Sequence, residues 1–117
     1  MIVKKYDTVE KEEVKMEGVK NTSVRWLIGK DSPAPNFHMR LFEVDPGGHT
    51  PFHSHDFEHE IYVVEGKGQI NTEEKPIPLE KDSFALVMPG EKHQFENTGN
   101  TPLKFLCMIP KEIESSR

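Results

Sequence analysis

Short runs of alternating apolar and polar residues, closed by turn residues, fill most of this 117-residue chain. Alternation with period two marks a strand with one buried face, because successive side chains point to opposite sides. The pattern predicts strands over 23–28, 37–44, 51–55, 59–65, 69–71, 76–79, 84–88, 93–97 and 103–109. Residues 59–65 are the clearest, being rich in β-branched and aromatic side chains. Gly29 to Pro33, Asp45-Pro46-Gly47-Gly48, Gly66-Lys67-Gly68, Asn71 to Lys75, Glu80 to Ser83 and Asn97 to Pro102 read as turns or bends. Residues 10–20 carry Val14, Met16 and Val19 among charges, which suits either a short helix or an extended arm. Many short strands with Pro and Gly at their junctions predict an all-β sandwich or barrel.

Composition narrows the function classes. The length suits one domain, 1–117, with a single modest core. A net charge of −5 argues against nucleic-acid binding, which wants a basic stripe. No apolar run exceeds about five residues, against the roughly 20 needed to span a membrane. The first residues, Met1 to Asp7, hold no apolar stretch that would mark the chain for secretion. The lone Cys107 cannot form an intramolecular disulfide, which fits a reducing compartment, so a cytoplasmic location is expected.

Candidate chemistry sits on four histidines. His53, His55 and His59 fall in one short stretch, and His93 follows Pro89-Gly90-Glu91-Lys92. On an extended strand the first three share parity and one face, while Ser54 and Glu60 point the other way. Neutral imidazole is the commonest protein ligand for transition metals, so this constellation predicts a metal site within β-structure.

These residues resemble two motifs of the cupins, small barrels built as jelly rolls (double-stranded β-helices). Gly47 precedes His53-x-His55 by the family's five-residue gap, and Gly66 closes the segment. Pro89, His93 and Asn97 match the later half of the second motif. The likeness covers 37–110, and implies an all-β jelly-roll barrel. Ser83 and Glu91 stand where glycines are usual, and the acidic ligand is the third departure. His59 and Glu60 compete for that place; the six-residue spacing to Gly66 and parity with His55 select His59. The pattern is similar to compact four-histidine cupins that bind manganese or another divalent metal. Val24–Ile28 and Ala34–Phe37 also look like stretches of that subgroup. The resemblance further implies a homodimer, with residues 1–28 contributing to the contact.

Around the expected ligands His53, His55, His59 and His93, other side chains invite two readings each. His49 is expected in a solvated loop, with a pocket acid or base as the alternative. Arg40 is expected at the surface, with an anion anchor in the pocket as the alternative. His38 is expected on a strand surface. Cys107 is expected as a buried thiol, and the resemblance allows it a place near the metal. Trp26, Phe95 and Phe105 are expected in the core.

Four neutral ligands leave a divalent ion its full charge, which strengthens it as a Lewis acid. Six-coordination would leave two cis positions for water, dioxygen or a chelating molecule. Nitrogen ligands do not select sharply among Mn, Fe, Co, Ni, Cu and Zn; the resemblance favours manganese, one ion per chain. The expected function is a metal-dependent enzyme acting on a small oxygenated substrate, by oxygenation or by Lewis-acid isomerisation or cyclisation. The alternative is a non-catalytic metal or small-ligand binding module for sensing or storage. A structural domain with a degenerate site is the third reading.

Overall fold

A computed structural model describes residues 1–111, and within them almost every regular element is a strand. After a short 3₁₀ turn at Tyr6–Thr8 come β1 (Glu12–Glu13), β2 (Lys20–Ile28), β3 (Phe37–His49), β4 (His59–Glu65) and β5 (Lys67–Asn71). β6 (Ile77–Glu80), β7 (Phe84–Val87), β8 (Gln94–Asn97) and β9 (Leu103–Pro110) complete the described residues. All pairs are antiparallel, in the order β6-β5-β8-β3-β9-β4-β7, with β2 on the other edge of β3 and β1 beyond it. The sheet curls into a half-barrel of the expected all-β jelly-roll type.

Alternation decides which side chains fill it. Along β9, Leu103, Phe105, Cys107 and Ile109 are buried, while the residues between them are half-buried. Register places Val44, Phe42, Arg40 and His38 of β3 directly opposite those four. On β4, His59, Ile61 and Val63 face the same interior, while Glu60 and Tyr62 are exposed on the outer surface. There the Tyr62 hydroxyl donates to the Asp82 carboxylate at 3.0 Å, and that hydrogen bond holds the phenol above its usual range. Phe105 forms the middle of the core, stacked between Phe42 and Phe95 with ring centres 5.3 and 4.5 Å away.

Three local expectations need correction. Asp45-Pro46-Gly47-Gly48 does not end the strand: β3 runs through it to His49, which pairs with Glu96 of β8 and Lys20 of β2. The β2–β3 register jumps there, from Lys20↔His49 to Thr22↔Val44, so the four residues bulge out of a continuing strand, with Gly47 at φ +80°. Residues 51–55 form no strand, and only the single bridge His53↔His93 pairs there. Residues 10–20 are neither helix nor a long extended arm, but a two-residue strand and a turn before β2.

Two motif residues have clear structural duties. Gly66 has φ +91°, and a Cβ there would lie 2.3 Å from the Pro102 carbonyl oxygen. Asn97 is buried; its Nδ2 donates to the carbonyls of Val44 and Thr101, and its Oδ1 accepts from the Gly99 amide, each at 2.8 Å.

Candidate metal centre

The four histidines come from three places. His59 opens β4, His93 immediately precedes β8, and His53 and His55 lie on the loop between β3 and β4. Side-chain parity on one strand is therefore not what brings them together; cross-strand backbone bonds are. The amides of His53 and His93 each donate to the other's carbonyl, at 3.1 and 2.9 Å, and the Gly90 amide donates to the His55 carbonyl at 2.6 Å. Thr50 secures the loop's entry, donating its amide to the Phe95 carbonyl at 2.9 Å and accepting the Phe95 amide on Oγ1 at 2.8 Å.

The rings then converge. Their centres lie 4.2 Å apart for His53–His55, 4.6 Å for His55–His59, 5.4 Å for His53–His93 and His55–His93, and 5.5 Å for His59–His93. One nitrogen from each of His53, His55 and His93 lies within 4.8 Å of the others. Metal–imidazole bonds of about 2.0–2.1 Å place ligating nitrogens within roughly 4 Å of one another, so these three fit a common ion with little adjustment. The His59 ring stacks on His55 with an interplanar angle of 12°, but its nitrogens are not in the 4.8 Å group that the other three form. Glu60, the competing acid, is exposed on the opposite face of β4.

Two of the rings are oriented by groups behind them. His93 Nδ1 lies 2.9 Å from the Glu91 carbonyl oxygen, which can only accept, so that nitrogen carries the proton and Nε2 keeps its lone pair. His59 Nδ1 lies 3.2 Å from Cys107 Sγ, which in turn accepts a hydrogen bond from Arg40 Nη2 at 3.0 Å. Phe57 stacks on both His55 and His59, at 4.7 and 5.2 Å, and Phe95 meets His93 edge-on at 5.8 Å. Phe57 escaped the sequence reading, although it shares parity with His55 and His59 and is the one aromatic between them.

The flanking candidates separate. Arg40 is not a surface residue: only 6% exposed, it packs its guanidinium against Phe42 and Trp26, 4.8 and 5.2 Å from their ring centres. His38 is likewise not on a strand surface but 1% exposed, edge-on to Trp26. Inward parity on β3 buries both. Trp26 is half-buried and packs against the core from its margin. Cys107 is buried and in contact with the His59 ring. His49 belongs to the end of β3 rather than a loop, half-buried, with Nδ1 3.2 Å from the Thr50 carbonyl and 3.3 Å from Gln94 Nε2. A cleft of about 360 Å³ opens between β6 and β7, lined by Ile77, Leu79, Phe84, Leu86 and Lys92, and reaches the cluster at His93.

A curled antiparallel barrel with histidines converging from a loop and two strand starts defines a class, and comparison agrees. Residues 40–109 match the Cupin_2 family model, described as a cupin domain, and the chain belongs to that family. It is 36% identical over 87 residues to the oxalate-binding protein of Thermotoga maritima, covering 71% of this chain and 70% of that one. Against other curated relatives the match spans about half of their length. Among solved structures it superposes on the polyketide cyclase RemF of Streptomyces resistomycificus with TM-score 0.89 and 32% identity, over 94% of this chain and 79% of that one. A "predicted oxalate decarboxylase" of Thermotoga maritima gives TM-score 0.82 at 28% identity, over 94% of this chain and 99% of that one.

Proposed function

We propose that this cupin holds one divalent transition-metal ion on His53, His55, His59 and His93, and uses it on a small, oxygen-rich chelating molecule. The observation that carries the reading is the gathering of His53, His55 and His93, with nitrogens within 4.8 Å of one another, and the His59 ring beside them, 4.6 Å from His55 and 5.5 Å from His93. With the proton of His93 held on Nδ1, Nε2 is its ligating atom. Bound there, the metal would supply Lewis acidity undiminished by any anionic ligand. Manganese is the proposed ion, on the likeness to four-histidine cupins, with Fe, Co, Ni, Cu and Zn compatible with the donor set.

The protein's own contribution is aromatic packing beside the rings and an open, partly apolar cleft that reaches His93. Phe57 and Phe95 pack against the ligand rings, and the adjoining cleft is within the range of about 300–1,000 Å³ typical of small-ligand sites. A ligand offering two oxygens to adjacent coordination positions suits such a site. One relative is named for binding oxalate and another for cyclising a polyketide; both ligand types carry oxygens spaced for chelation. Turnover by oxygenation, isomerisation or cyclisation is the leading form of the proposal. Binding without turnover, for sensing or storage, is the second, favoured by the oxalate-binding relative.

The proposal includes a homodimer in the cytoplasm, the location resting on the single cysteine. Tyr62, Phe84, Leu86 and Met88 present a contiguous exposed apolar face on β4, β7 and the turn after it, which supports pairing with a second copy. Tyr6 lies against Arg25 and Lys104 at 5.1 and 5.7 Å, anchoring an amino-terminal segment whose Met1, Ile2 and Val3 are exposed.

Elemental analysis of the protein purified without chelators, beside His59→Ala, tests the metal. About one ion per chain, mostly lost from the variant, is expected; an empty wild type that refuses added metal overturns the reading. Oxalate and a vicinal diketone, added to the loaded protein, then separate the two forms. A perturbed metal spectrum with product supports the enzyme, and perturbation without product supports the binding module.

A further inference from the structure

Arg40, Cys107 and His59 form a chain of buried side chains across three adjacent strands. Cys107 lies on β9 between β3 and β4, opposite Arg40 on one side and Ile61 on the other. Arg40 Nη2 donates to its sulfur at 3.0 Å, and the sulfur sits 3.2 Å from His59 Nδ1. All three residues are at least nine-tenths buried. The guanidinium has little freedom: Phe42 and Trp26 pack against it, and its Nε is buried with no hydrogen-bond partner. A buried cation with an orphaned donor is costly for the fold, which calls for a return elsewhere.

We infer that Arg40 and Cys107 are positioning residues for His59, fixing its ring plane and tautomer so that Nε2 faces the metal. The inference rests on the proposed four-histidine site and explains how one ligand of it is held. Arginine has only donors to offer, so the sulfur must accept from it. A sulfur so fixed lies at hydrogen-bonding distance from Nδ1 of His59. With the proton on Nδ1, the sulfur accepts a second hydrogen bond and the lone pair is left on Nε2; an S–H donated to Nδ1 would reverse this, and the tautomer measurement separates the two. At His93 the Glu91 carbonyl, which can only accept, holds the proton on Nδ1. Groups that hold a ligating histidine from behind are typically worth about 10–100-fold in metal affinity. A lone buried thiol would have no reason to be a cysteine rather than a valine; this one has a cation aimed at it and a ligand beside it.

Two readouts test this, on the full chain. Long-range ¹H–¹⁵N correlation of the metal-free protein reports the His59 tautomer, and competition of Zn²⁺ against a chelating dye reports affinity. The variants are Cys107→Val, Cys107→Ser and the double variant Arg40→Met with Cys107→Val. The wild type is expected to show Nδ1–H at His59. Cys107→Val should mix the tautomers and weaken Zn²⁺ binding about 10–100-fold, with Cys107→Ser partly restoring both. The double variant removes the stranded guanidinium, so it should fold as well as wild type and yet bind weakly. Wild-type tautomer and affinity in the Cys107→Val and double variants would overturn this inference alone. A wild type that takes no zinc overturns the four-histidine reading, and this inference with it.

Discussion

Asn97 offers a test of how the barrel is tied together beside the histidine cluster. Its side chain bridges three backbone groups, the carbonyls of Val44 and Thr101 and the amide of Gly99, all at 2.8 Å. Each such bond contributes about 0.5–1.5 kcal/mol net, more where the abandoned partner stays buried. Removing all three in Asn97→Ala should therefore cost about 3 kcal/mol. At about 2.1 cal/mol/K per residue, a chain of this size has an unfolding entropy near 0.25 kcal/mol/K, so Tm should fall by about 12 °C. Asn97→Asp keeps the acceptor for Gly99 but sets a carboxylate against two carbonyl oxygens, and should be at least as destabilised. Both are readable by differential scanning calorimetry on the metal-free protein. Metal content measured well below Tm should be unchanged, because Asn97 supports the scaffold and is not a ligand. A drop of less than about 3 °C for Asn97→Ala, or loss of metal from a folded variant, would refute the reasoning.

Four further outcomes follow from particular contacts. Gly66→Ala must take a Cβ into the Pro102 carbonyl at a backbone angle of +91°, and should lose several kcal/mol or fail to accumulate, judged by denaturant midpoint. Phe105→Ala should cost about 3–5 kcal/mol, since the ring is 1% exposed and stacked between two others; chemical denaturation checks it. Metal at about 100 times its Kd should stabilise the folded chain by about 2.7 kcal/mol, raising Tm by roughly 11 °C, and a chelator should reverse the gain. Phe84→Glu, which places a charge at an 82% exposed apolar position, should turn a dimer into a monomer by solution scattering; a monomeric wild type sinks the pairing proposal.

The strand pattern was legible because it is local. Residues 59–65 and 103–109 alternate cleanly, and β4 and β9 lie where that alternation puts them. The ligand loop was not, because what shapes it is distant: His53 is bridged to His93, and Gly90 reaches the His55 carbonyl. Same-strand parity singles out the histidines in the sequence, but cross-strand backbone pairing is what assembles them. Asp45 to Gly48 carries every local turn signal, yet β3 persists because β2 and β8 pair with it on either side. Arg40 and His38 read as surface residues by type, since charge and imidazole are usually exposed. What keeps Arg40 inside is a sulfur 67 positions away, the Trp26 face on β2 and the Phe42 face two residues along the same strand.

The most direct test of the metal centre is X-ray absorption at the metal edge of the protein as purified, together with that of His59→Ala. A shell containing four imidazole nitrogens is expected in the wild type and three in the variant, with no sulfur in either because Cys107 stands behind His59. A wild-type shell of three imidazoles that His59→Ala leaves untouched, or a sulfur bound to the metal, would contradict it.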